Sequence, residues 1–167
     1  MNTISISGNA SRSPAARLAT RIAGVATRTI SLLERWVTPV FDLGIRIYVG
    51  QAFFKSGLTK IVDWNVTLGL FENVYHVPVL PPAIAAVMGT AGELALPLLL
   101  IPGIAGRFAA AGLAVVNVMA VVSYFDELSE LGLADHLLWG VLLLVILLHG
   151  PGRLSVDQWL KGRLPAA

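Results

Sequence analysis

Residues 41–60 read FDLGIRIYVGQAFFKSGLTK. Most of this stretch is apolar enough for a bilayer, yet Asp42, Arg46 and Lys55 fall inside it and Lys60 closes it. An unpaired charge near the bilayer midplane costs at least ~2.5–3.5 kcal/mol. An arginine about two turns into a membrane helix therefore needs a partner.

Composition supports a membrane helix here. The chain has 167 residues, 56% hydrophobic and only 13% charged, with a mean hydropathy of +0.75. Soluble domains carry roughly 25% charged residues. Cysteine is absent, which excludes disulfide exchange, thiolate nucleophiles, iron–sulfur clusters and thiolate metal sites.

Working outward, four apolar segments stand out, at about 37–58, 82–101, 103–125 and 133–149. A spanning helix needs roughly 17–25 mainly apolar residues. None of the four alternates polar and apolar residues as a barrel strand would. The expectation is an all-α integral membrane four-helix bundle over 37–150. A start and N-terminal helix (1–36) precede it, and a short tail (151–167) follows.

The basic residues set the orientation. Arg12, Arg17, Arg21, Arg28 and Arg35 precede the first span, Arg107 follows the turn between the second and third, and Arg153, Lys161 and Arg163 follow the fourth. With four spans all nine share one side. The positive-inside rule puts both termini in the cytoplasm. This placement, not nucleic-acid binding, accounts for the high pI.

Residues 1–10 have a disordered composition. In 16–37, Arg17, Arg21, Arg28 and Arg35 fall within roughly 40° of a helical wheel, beside an arc of Leu18, Ile22, Val25, Leu32, Leu33 and Trp36. That is an amphipathic interfacial helix facing anionic lipid. The same Arg- and Ser-rich, acid-poor composition also resembles an organellar transit peptide; a secretory signal lacks its apolar core here. The 61–81 connection reads as a short interfacial helix followed by a Pro-rich entry to the second span, with aromatics at headgroup level.

Depth arithmetic suggests a partner for Arg46. It lies about 8–9 residues into its span, roughly 12–14 Å deep. Glu93 lies about 11 residues into an oppositely directed span, which leaves roughly 14 Å to the same face of a ~30 Å core. The expectation is an Arg46–Glu93 pair, with Asp42 one turn away sharing the guanidinium. Its role is either helix register or a polar pocket for a lipid-soluble ligand such as a quinone. Gln51, Asn117 and Tyr124 are the further polar candidates for that pocket. Lys55 and Lys60 are expected to snorkel outward, where His76 and His136 also lie. Asn in a span is more often helix–helix glue. No metal site is expected, because the acidic residues around 126–136 lack tight ligand spacing. No phosphate loop, nucleophile elbow or dinucleotide fingerprint appears.

Three motifs, RIYVGQAFFKSGLTK, AGELALPLLLIPGIAGRFAA and HGPGRLSVDQWL, in this order and spacing, resemble the DoxX family. The match falls on Arg46, Gly57, Lys60, Glu93, Gly103, Arg107, Gly152, Ser155 and Asp157. The resemblance implies a small four-helix inner-membrane protein. It also implies quinone-linked redox chemistry, from the quinol-oxidase subunit that names the family. Residues 70–100 look closest to a subgroup found with copper-responsive peptide-modification operons.

Two functions follow. One is an accessory subunit of a redox or metal-stress system, with a membrane or periplasmic protein partner, or a second copy of itself. The other is a quinone- or lipid-binding redox component. A small transporter is a weaker third reading, since no inverted repeat is evident.

Overall fold

The computed structural model describes residues 14–163. The expected disordered start lies outside the described residues. Every regular element among them is helical. The chain divides into two compact units, at Val37 and Thr38.

The first unit holds α1 (Pro14–Leu32) and a π-helical turn (Leu33–Val37). The apolar residues Leu18, Ile22, Val25, Leu32 and Trp36 are all exposed.

The second unit holds α2 (Thr38–Val62), α3 (Trp64–Asn73), α4 (Pro82–Leu100), α5 (Gly106–Ser123), α6 (Glu130–His149) and α7 (Val156–Lys161). Their ends follow from local chemistry. Pro82 opens α4 at a position where no N–H is needed. Asp63 accepts from the Val66 N–H at 3.1 Å and starts α3; Ser129 does the same for Gly132 at 3.1 Å and starts α6. That serine cap makes α6 a turn longer than the apolar run alone suggests. Gly150, at φ 95°, ends α6.

α4, α5 and α6 are long and apolar enough to cross a membrane. The 25-residue α2 packs against α4 and α6 but carries Asp42, Arg46, Lys55 and Lys60. A core of Ile45, Val49, Phe53, Leu100, Ala109, Leu113, Leu143 and Ile146 joins these helices. Glycines bring them close. A Cβ on Gly57 would stand 2.8 Å from Leu94, and one on Gly112 would stand 2.8 Å from a Leu96 methyl. α3 closes one end of α4, where Phe71 packs on Ala85 and Ala86. The unit also exposes Phe108, Val115, Val118, Leu137, Val141 and Leu144, an apolar exterior suited to lipid.

The segment after α6 is not a loose tail. It passes beneath the α4–α5 turn, where the Val156 and Asp157 N–H groups donate to Pro102 and Gly103 carbonyls at 3.0 Å.

Candidate functional site

The expected Arg46–Glu93 pair is not formed. Gly57 packs on Glu93 and Leu94, whereas Gly50, two turns earlier, packs on Pro97 and Ile101. Arg46, a further turn back, therefore lies past the last turn of α4. The depth arithmetic failed because it assumed that α2 and α4 end flush at one face. They are offset along their axes, and the arginine side chain leans further toward its helix N-terminus.

Arg46 instead closes the end of α4. Its Nη1 donates to the Ile101 carbonyl at 2.6 Å and to Leu100 at 3.5 Å, and its Nη2 donates to Leu154. The last carbonyls of a helix have no partner within it, and the fully buried guanidinium supplies one. Asp157 completes this end by accepting from the Ala105 and Gly106 N–H groups at 2.8 Å each, which caps α5. Asp42 sits beside Gly152 and makes no ion pair with Arg46.

Glu93 has a different partner. The Lys60 ammonium donates to its Oε1 at 2.9 Å, its Oε2 at 2.6 Å and the Ser56 hydroxyl at 2.9 Å. Lys60 thus turns inward instead of snorkelling. Among the described residues this is the only ion pair.

The pair borders a cavity of about 410 Å³ between α2, α4, α5 and α6, roofed by α3 and the segment after it. Its walls are mostly apolar: Phe53, Phe71, Val77, Met88, Val116 and Met119. Two edge-to-face aromatic series rim it. Phe53, Trp139 and His136 form one, at 5.6 and 5.0 Å between centroids; Phe71, Tyr75 and Tyr124 form the other, at 5.0 and 5.3 Å. Burial, with Tyr124 and Glu93 nearby, holds the Tyr75 phenol above its usual pKa, so it stays a neutral hydroxyl.

Asn117 fixes the imidazole of His136. Its amide donates to the His136 carbonyl at 2.9 Å, which turns its oxygen toward His136 Nδ1 at 2.7 Å. Nδ1 must then carry the proton, and in the neutral ring Nε2 is left as an acceptor. The Trp139 indole N–H is buried without an acceptor. The cavity thus combines acceptors (Glu93, His136) with donors (Ser56, Tyr75, Tyr124) on an apolar background, the usual make-up of a small-molecule site.

The sequence candidates therefore separate. Glu93, Lys60, Tyr124 and His136 line the cavity, with Asn117 behind His136. Arg46 and Asp42 lie at the other end of α2. Gln51, Lys55 and His76 are exposed and do not line the cavity. Sequence reasoning missed Ser56, Tyr75 and Trp139. Only the first had a signal, its spacing of four residues before Lys60. Among the described residues no three of His, Cys, Asp and Glu converge as metal ligands.

The nine positions singled out by resemblance divide the same way. Lys60 and Glu93 line the cavity, with Gly57 packed against Glu93. Arg46, Gly103, Ser155 and Asp157 build the clamp under α4 and α5, with Arg107 and Gly152 beside it. A comparison with known families matches residues 41–126 to DoxX. An uncharacterized protein of Haemophilus influenzae is 30% identical over 130 residues, covering 72% of this chain and 83% of that relative. No solved structure matches. On the family match and this relative together, the chain belongs to the DoxX family.

Proposed function

We propose that the protein is a four-span inner-membrane component that binds a lipid-soluble molecule with a polar, ring-shaped head of the quinone class. The binding place is the cavity at Lys60–Glu93. The observation that carries this is the partly buried ion pair opening on an apolar, aromatic-rimmed cavity that also holds an imidazole with a free acceptor nitrogen. A ring fits between aromatic edges. Its hydroxyls would donate to Glu93 or His136 Nε2, and its carbonyls would accept from Ser56, Tyr75 or Tyr124.

Support for α2 as the fourth span comes from its charges. Arg46 is spent on carbonyls and Lys60 on Glu93, while Lys55 lies near the end. Two of its four charged side chains are thus turned onto protein partners, not toward lipid.

The resemblance alone favours an accessory subunit in a redox or copper-stress system; the cavity adds a ligand to that setting. The test is mass spectrometry of what co-purifies in mild detergent, for wild type and for Lys60→Met/Glu93→Leu. The double variant removes both charges together and is expected to fold. A quinone or other prenyl lipid present in wild type and absent from the folded variant supports the proposal. A protein partner with no such ligand in wild type overturns it in favour of the accessory role.

A further inference from the structure

A second cavity, of about 340 Å³, lies at the opposite end of the unit, beside the clamp. Arg107, Arg153, Lys161 and His149 line it, together with Asp42 and Asp157. The two carboxylates do not balance the bases, because only Asp42 is uncommitted. Both oxygens of Asp157 are taken by the N-terminus of α5, at 2.8 Å each. Asp42 is held against Gly152, one turn before the buried charge of Arg46.

Arg107 spends one donor on the Leu148 carbonyl at 3.1 Å. Arg153 and Lys161 have no hydrogen-bond or ion-pair partner among the described residues. Three cationic side chains thus line one hollow against a single uncommitted carboxylate, Asp42, which leaves positive charge in excess. Arginine forks match phosphate oxygens in pairs.

The rim is the second observation. Phe108, in the lining, is 67% exposed; Trp159, next in sequence to the lining residue Gln158, is 55% exposed and stacks on the Arg163 guanidinium at 4.1 Å. A phosphate seated on the bases would have apolar surface beside it for acyl chains, and an indole suits headgroup level.

We propose that this groove binds a phosphate group, supplied by the headgroup of an anionic phospholipid. It is independent of the Lys60–Glu93 cavity. Basic pockets between membrane helices on the cytoplasmic side take such headgroups. Free phosphate shares the chemistry, but would leave the apolar rim unused.

The experiment is native mass spectrometry of the full chain in mild detergent, titrated with phosphatidylglycerol or phosphatidylcholine, with and without inorganic phosphate. Wild type should prefer phosphatidylglycerol by roughly tenfold or more. Arg107→Gln/Arg153→Gln/Lys161→Gln should lose that preference, and Arg107→Lys/Arg153→Lys should retain most of it, which separates charge from folding. Arg21→Gln/Arg28→Gln/Arg35→Gln, which removes the other basic surface, should leave it intact. If the groove variant keeps the preference, or only the α1 variant loses it, the proposal is wrong. Binding of inorganic phosphate to wild type but not to the groove variant, without a lipid preference, would keep the phosphate site and overturn the headgroup as its source.

Discussion

Glu93 and Lys60 hold each other at the edge of an apolar cavity, and removing either alone strands the other. Breaking a buried pair costs about 3–5 kcal/mol, whereas replacing both members with apolar residues is often neutral. Lys60 keeps 18% exposure, so Glu93→Gln is expected near the low end, about 3 kcal/mol. Lys60→Met/Glu93→Leu should recover most of the loss. Thermal melting of the three proteins in detergent checks this; a double variant as unstable as the single would refute the coupling. Arg46 answers to different chemistry. Arg46→Lys keeps the charge but cannot reach the Ile101 and Leu154 carbonyls from two nitrogens at once. Losing one charge-assisted bond should cost about 1.5–3 kcal/mol. The same melting measurement should show that loss with ligand retention unchanged, because Arg46 is remote from the cavity.

At the scale of elements, the α4–α5 turn and the segment after α6 are built as one piece. Gly103 has φ 72°, and a Cβ there would stand 2.5 Å from that of Ser155 and 2.7 Å from Arg46 Nη1. The left-handed backbone alone costs an L-residue about 1–2 kcal/mol. Gly103→Ala should therefore destabilise by more than that, visible as a lower melting temperature and faster proteolysis after Gly150. Gly24→Ala, with open space around it, is the matched control and should be neutral or mildly stabilising. The helices themselves were legible. Apolar runs located α4, α5 and α6 to within a few residues, whereas the Ser129 cap, which starts α6 a turn earlier than its apolar run, was not read. Relative axial position was not legible. Nothing in the local sequence says that α2 overshoots α4, so Arg46 and Glu93 were each recognised as buried charges and then given the wrong partner. Ser155 and Asp157 were identified only through the family resemblance; the Asp157 partners lie about fifty residues away.

For the whole molecule, the topology turns on α2, which in the proposed reading crosses the membrane with α4, α5 and α6. Its 25 residues reach roughly 37 Å, ample for a ~30 Å core. Arg46 and Lys60 have protein partners, so lipid need not solvate them. If α2 crosses, the basic residues before it and after α6 share one side, as the positive-inside rule requires. If it does not, the arginines of α1 and those after α6 are divided between the two faces. The chain has no cysteine, so single introduced cysteines report without background. Ser31→Cys, Asn65→Cys, Glu127→Cys and Gly162→Cys sample the start of the chain, the two connections opposite the clamp, and its end. With four spans, a membrane-impermeant maleimide added to spheroplasts should label Asn65→Cys and Glu127→Cys, and label Ser31→Cys and Gly162→Cys only after permeabilisation. With three spans, Ser31→Cys would instead label together with Asn65→Cys. Whether Ser31→Cys labels with Asn65→Cys or opposite to it decides between them, because α4, α5 and α6 place the other positions alike relative to one another in both cases.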